Sequence, residues 1–253
     1  MNQQQVLNLA ADMGCALMGS GAEIYRVEES MERLLRAYGM DEAEVFAIPN
    51  CIIVSVTAPD GQPVTRMRRV GAHGTDIERM ERCNDLNRRL CAETPPIAEA
   101  QRLLRAIPGQ ARRYNDRVSL LGYAFSPTFF APLFGGGLTD MGCACLVGLL
   151  VGLFQVYGGK LFGGNGFFHT LVSSAAASVL ALGLVRMGIP ARLDVITISA
   201  LMMLVPGVAI TNAMREIMAG DVLSSLSHAA AALLTAVAIA LGTGVGLALM
   251  QYI

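Results

Sequence analysis

The 253-residue chain has no tryptophan and only three histidines. Without tryptophan the usual aromatic marker of membrane interfaces is missing, so any apolar spans must be placed from charges and helix breakers. The histidines, at 73, 169 and 228, stand far apart, and His73-Gly74 reads as a loop. No Ser/His/Asp or Cys/His pairing and no glycine-rich phosphate loop stands out, so nothing here reads as an enzyme. The six cysteines (15, 51, 83, 91, 143, 145) lack a disulfide-scaffold pattern, and Cys143-Ala144-Cys145 lies in an apolar run without the paired spacing of a zinc site. We expect all six to be reduced, most of them as small packing residues, and no metal or other cofactor is called for. A net charge of −1 with interleaved signs leaves no electrostatic footprint for nucleic acid. The polar, uncharged start Met1-Asn2-Gln3-Gln4-Gln5 is not a signal peptide, which predicts that the first domain stays in the cytoplasm.

What charge there is lies mostly in the first half. Residues 1–117 hold 31 of the charged side chains, and residues 118–253 only 8. The first part reads as a water-facing domain (1–115) and the rest as a membrane domain (116–253). In the first, residues 4–18 carry a broad apolar helical face, and Ala22 to Tyr38 repeats Ile24, Val27, Met31, Leu34 and Leu35 at helical spacing, with Gly39 as its cap. Residues 44–57 turn to β-type runs interrupted at Pro49-Asn50, and Pro59-Asp60-Gly61 signals a turn into a strand from Val64 to Val70. Thr75-Asp76-Ile77-Glu78 fits a capping box at the start of a helix running to Leu90. A further helix is expected from Ile97 to Ala106, ended by Pro108-Gly109. Glu23, Arg26 and Glu28 can form a charged site after the break at Gly21. Charges at that spacing read equally well as solvated or locally paired helix surface.

Five apolar segments follow: Val118 to Leu133, Leu138 to Tyr157, Phe167 to Val185, Leu193 to Asn212, and Leu226 to the C-terminus. Each approaches the ~17–25 residues that cross the hydrocarbon, the first only marginally. The sequence therefore predicts a multi-pass α-helical membrane protein of about five transmembrane helices with an N-terminal cytoplasmic α/β domain. Small residues four apart, Gly148 with Gly152, the row Ala232-Ala236-Ala240 and the row Ala238-Gly242-Gly246, predict close helix packing. Arg112, Arg113, Arg117, Lys160 and Arg215 would lie inside and Arg186 and Arg192 outside.

Segment four holds Leu204-Val205-Pro206-Gly207, then Asn212, Arg215, Glu216, Gly220 and Asp221. A proline in a helix frees the carbonyl four residues back, here that of Met202. Transporters build solute sites from such interrupted helices, while a plain kink is the bland alternative. On the first reading Pro206, Gly207, Asn212 and Asp221 line or gate a solute path, with Arg215 able to pair with a substrate carboxylate or a lipid phosphate. The acidic residues of this half, Asp140, Asp194, Glu216 and Asp221, all sit near segment ends, so a deep-membrane carboxylate is missing. His169, with an unperturbed pKa of about 6.5, is the buried-looking titratable group of segment three, either in the path or packed at an interface.

Taken together, Gly21-Ala22-Glu23-Ile24-Tyr25-Arg26-Val27-Glu28, Arg66-Met67-Arg68-Arg69, the helix from Asp76 to Leu90 and Leu204-Val205-Pro206-Gly207 with Asn212, Gly220 and Asp221 resemble the threonine/serine exporter family. The likeness is strongest to its short split-chain members, which include a subunit of a two-component succinate exporter. It covers most of the chain. It implies export of a small organic acid or amino acid, threonine/serine or a succinate-like dicarboxylate, driven by membrane potential or a proton gradient. It also implies a bacterial inner membrane, lipid contact, and a second small membrane subunit or a homo-oligomer. A membrane anchor or scaffold whose first domain binds a partner is the alternative.

Overall fold

The computed structural model describes residues 3–57, 61–71, 74–110, 114–158 and 165–251. Ten helices and three strands occur among them, and the chain divides into two compact units, Met1–Arg112 with Val208–Ala229 and Arg113–Gly207 with Ala230–Ile253.

The first unit starts with α1 (Gln3–Met18) and α2 (Ile24–Ala37), whose apolar stripes face inward. Strands β1 (Ala43–Ile48), β2 (Cys51–Thr57) and β3 (Pro63–Arg69) form an antiparallel meander in the order β1-β2-β3. The β1–β2 connection is the Pro49-Asn50 pair itself, with Ile48 opposite Cys51. Alternation decides which sheet face is covered. Ala47, Ile52 and Val54 are buried against the helices, while the cross-strand row Phe46, Ile53 and Met67 is exposed. Helix α3 (Ile77–Glu93) and α4 (Ile97–Gln110) complete this part, and the core joins Leu7, Met13, Leu17, Ile24, Met31, Leu35, Ile52 and Leu90. Asp76 caps α3, its carboxylate accepting from the Arg79 N–H at 2.9 Å. The expected cap was Thr75; Asp76 fills the role because the helix begins one residue later. Helix α4 runs through Pro108 to Gln110 instead of ending there. Helix α9 (Gly207–Met218) belongs to this unit from Val208 on, as do the first two turns of α10 (Val222–Gln251).

The second unit contains α5 (Asp116–Leu133), α6 (Leu138–Tyr157), α7 (Gly166–Arg186), α8 (Leu193–Leu201) and the remainder of α10. Its core runs through Val147, Val151, Ala177, Ala181, Ile196 and Ala200. Gly148 and Gly152 lie against Tyr123 and Pro127 of α5, so the small pair lets those two helices close on one another. Of the two small-residue rows on α10, Ala238, Gly242 and Gly246 are buried, whereas Ala236 and Ala240 are exposed.

The expectation of about five transmembrane helices is overturned. Among the described residues three helices are long and apolar enough to cross a membrane: Leu138–Tyr157, Gly166–Arg186 and Val222–Leu249. Segment one, α5, opens on Asp116-Arg117 and carries Pro127, Pro132 and several hydroxyls, which lower its hydropathy. Segment four is two helices of 9 and 12 residues. At ~1.5 Å per residue neither approaches the ~30 Å of hydrocarbon. The expected α/β domain is likewise corrected, since one three-stranded sheet sits in a mainly helical chain. The Pro206 reading changes too. Helix α8 has already stopped at Leu201, and the Met202 carbonyl accepts from the Val205 N–H at 3.4 Å in the turn, so the proline does not free it. Arg112, Arg113 and Lys160, which weighed in the charge asymmetry, lie outside the described residues, as do His73 and the Pro59-Asp60 half of the expected turn.

Candidate functional site

Helix α9 places Asn212, Arg215 and Glu216 at i, i+3 and i+4, hence on one face. All three reach back to the short connection between α1 and α2, nearly two hundred residues earlier. The Asn212 Nδ2 donates to the Gly21 carbonyl at 3.3 Å, Arg215 Nη1 donates to Glu23 Oε1 at 2.6 Å, and the Ile24 N–H donates to Glu216 Oε1 at 3.4 Å. From α10, His228 brings its Nδ1 to 2.7 Å from Glu216 Oε2. Ser225 Oγ donates to the Ala213 carbonyl at 2.7 Å and ties α10 to α9.

The connection is held from its other side as well. The Asp76 N–H donates to the Ser20 carbonyl at 3.0 Å, and Gly21 adopts φ +90°. A Cβ at Gly21 would stand 3.0 Å from the Gly74 carbonyl oxygen, in a backbone region that L-residues enter at a cost of about 1–2 kcal/mol. Gly21→Ala is therefore expected to lower stability by about 2 kcal/mol or more and to loosen the Asn212 contact, read as a lower unfolding midpoint of the purified chain. An unchanged midpoint would show that the connection tolerates a different path.

Electrostatically the site is a buried acid pair under an exposed base. Glu23 is 7% exposed and Glu216 0%, whereas the Arg215 side chain is 55% exposed. Burial pushes the Glu23 carboxyl up, but its own backbone N–H, the Arg215 hydrogen bond and the charges of Arg26 and Arg215 prevail and hold it below the usual carboxylate range. Arg26, 3.7 Å from Glu23 Oε2 and 62% exposed, is a loose second cation. Glu28 stands apart from this pair, accepting from the Ala47 N–H at 2.7 Å. Burial raises its carboxyl above the ordinary value, opposed by that hydrogen bond and reinforced by Asp221.

The remaining expected residues fall elsewhere. Asp221 caps α10 through the Ser224 N–H at 3.1 Å. Gly207 opens α9, and a Cβ there would meet no atom within 4 Å. Pro206, half-buried, directly precedes it. In the second unit Asp140 accepts from the Gly137 N–H at 2.8 Å and the Arg192 N–H at 2.6 Å, closing the start of α6 and holding the entry to α8. His169 Nε2 lies 2.8 Å from the Phe154 carbonyl, bridging α7 and α6. The structure thus joins Glu23, Arg26, Asn212 and Arg215 with Glu216 and His228, two residues outside the expected set. The i+4 relation of Glu216 to Asn212 was the available signal; His228 had none. Among the described residues no group of three His, Cys, Asp or Glu side chains could hold a metal ion.

The chain matches the ThrE threonine/serine exporter family over residues 8–250. It is 26% identical over 255 residues to a threonine/serine exporter of Corynebacterium glutamicum, covering 97% of this chain and 51% of that protein. It is also 26% identical over 174 residues to pheromone-regulated membrane protein 10 of Pichia sorbitophila, covering 67% of this chain and 17% of the relative. With an uncharacterized protein of Schizosaccharomyces pombe it shares 27% identity over 147 residues, 56% of this chain and 19% of the other. The chain therefore spans about half the length of the bacterial relative and a smaller part of the fungal ones. No solved structure matches. Matched over nearly all of its length, the chain belongs to the threonine/serine exporter family.

Proposed function

We propose that the chain is a subunit of a membrane exporter that carries small carboxylate-bearing metabolites, threonine and serine or a succinate-like dicarboxylate, across a bacterial inner membrane. Family membership supports the exporter class, and the observation that carries the site is the Glu23–Arg215 contact. A guanidinium that holds a buried carboxylate while more than half exposed can exchange that partner for the carboxylate of a solute. Asn212 beside it offers both a donor and an acceptor, and Pro206-Gly207 and Asp221 bracket α9 as a gate. On this reading the first unit faces the cytoplasm, and a second small membrane subunit of the same family, or a further copy of this chain, completes the path.

Counterflow of labelled serine, threonine and succinate into vesicles, with and without such a partner, tests the proposal. Arg215→Gln is expected to slow exchange about tenfold or more, the ~1.4 kcal/mol or more of one charge-assisted contact. Pro206→Ala and Asn212→Ala should slow it with little loss of inserted protein. Wild-type exchange in all three variants would remove α9 from the path. Absence of exchange for every solute, with and without the partner, would favour a non-transporting anchor.

A further inference from the structure

The first unit contains a second concavity lined by arginine, away from the Glu23–Arg215 cluster. Asp12, Cys15 and Ala16 of α1, Arg79 of α3, and Gln101, Leu104 and Arg105 of α4 line a cavity of ≈ 230 Å³. On both α1 and α4 the three positions are i, i+3 and i+4, so two helix faces converge on the opening. Its one lining carboxylate is occupied: Asp12 accepts from Arg68 Nη2 of β3 at 3.0 Å. The two lining arginines are not. Neither Arg79 nor Arg105 enters an ion pair among the described residues. Arg79 Nε is buried without a hydrogen-bond partner, and its guanidinium lies beside the Cys83 thiol, a weak acceptor.

A buried guanidinium nitrogen without an acceptor is unusual, because taking a charged donor out of water is costly unless something receives it. Arg79, with this buried Nε, and the exposed Arg105 line one concavity whose only lining carboxylate is already neutralised, which makes a site short of an anion. We propose that this cavity binds a small carboxylate, its carboxyl group on Arg79 and Arg105, its polar substituent on the Gln101 amide, and its carbon stem on Ala16 and Leu104. The planar guanidinium fork matches a carboxylate in two-point fashion. The volume is below the ~300–1,000 Å³ of pockets that hold drug-sized molecules, so the ligand is a metabolite of a few carbons. The site shares no residue with the Glu23–Arg215 cluster, and the inference does not depend on the exporter reading. If both hold, the cavity is a place where the first unit senses the class of solute being moved.

The experiment is equilibrium binding of labelled succinate and threonine to the purified full chain, with inorganic phosphate as competitor. Saturable binding that depends on the two cavity arginines is expected for at least one of the two acids. Arg105→Gln, at an exposed position that folding tolerates, should weaken it about tenfold, and Arg79→Gln at least as much, with Arg79→Lys intermediate. Arg36→Gln, at an exposed position of α2 outside the cavity, should leave it within about twofold, because additivity holds for sites without shared partners. Binding unchanged in both Arg105→Gln and Arg79→Lys, or lost only in Arg215→Gln, overturns the inference. So does the absence of saturable binding, or phosphate binding more tightly than either acid. Exchange in the vesicle assay is read separately, so an exporter without this site and a binding chain that moves nothing are distinguishable.

Discussion

Glu216→Ala is expected to yield a chain that no longer folds stably in detergent. The carboxylate is 0% exposed and receives two groups from other elements, the Ile24 N–H and the His228 imidazole. Removing it leaves a buried backbone donor and a partly buried ring without their acceptor. Each buried donor left without its acceptor costs about 1–3 kcal/mol, and the two together are a large share of the ~5–15 kcal/mol by which a domain is stable. Glu216→Gln keeps the shape and one acceptor oxygen for Ile24, so its cost should be nearer 1–3 kcal/mol. His228→Gln, at a side chain 23% exposed, should be milder than Glu216→Ala. In a double-mutant cycle Glu216→Gln and His228→Gln should fall short of additive by about 0.5–3 kcal/mol. Thermal unfolding of the wild type, the three single variants and the double variant checks this. A Glu216→Ala midpoint equal to wild type would mean that the pair contributes nothing to holding α9 against α2 and α10.

The polar cluster explains why some of the site was legible in the sequence and some was not. The Gly21 break and the Pro206-Gly207 break were visible because glycine and proline act locally, through φ and a missing donor. Asn212 and Arg215 stood out as polar groups beside an apolar run. What no local pattern carries is that the residues after the Gly21 break meet the polar face of α9: Glu23 and Arg215 are separated by 192 positions. Only the tertiary fold pairs them. The same limit hid Glu216, which read as a charge at a segment end but is fully buried because its partners come from α2 and α10.

Segment four shows a different limit. Continuous hydropathy from Leu193 to Asn212 suggested one bent span, yet the chain turns out of helix after Leu201 and starts afresh at Gly207. Hydropathy measures how apolar a stretch is, and a tight turn of Met, Leu and Val scores as high as a helix. In the first unit the amphipathic period of α2 was unambiguous, since Val27, Met31, Leu34 and Leu35 keep one face across the helix. The Thr75 cap missed by one residue because Asp76 is an equally good cap, and side-chain chemistry alone does not choose between neighbours.

Gly242→Leu should disrupt the second unit, while Gly244→Leu, two residues away on the same helix, should not. Along α10 the buried row Ala238, Gly242, Gly246 faces α7. Ser174 Oγ lies 3.5 Å from the Ala238 carbonyl and Ser178 Oγ 3.4 Å from that of Thr243, so each hydroxyl stands at the α10 backbone. A Cβ at Gly242 would collide with Ser174 Oγ and the Leu171 carbonyl, and one at Gly246 with Ser178 Oγ and the Ala175 carbonyl at 2.6 Å. Two of these obstacles are helix backbone, which cannot rotate aside, so the helices must separate. Overpacking of a close contact costs about 1–3 kcal/mol when side chains can yield, and a helix–helix seam closed by backbone should lie at or above the upper end. Separation also forfeits the dispersion contacts on which association of apolar helices rests, since lipid is as apolar as the helices themselves. At Gly244 nothing lies within 4 Å of the added carbon, and replacing glycine in mid-helix gains about 1 kcal/mol of helix propensity. Protease resistance and thermal unfolding of the purified variants should therefore divide sharply, Gly242→Leu and Gly246→Leu falling well below wild type and Gly244→Leu matching or exceeding it. Equal loss in all three would mean that α10 resists any large side chain here, and the Ser174–Gly242 seam would not be what holds it against α7.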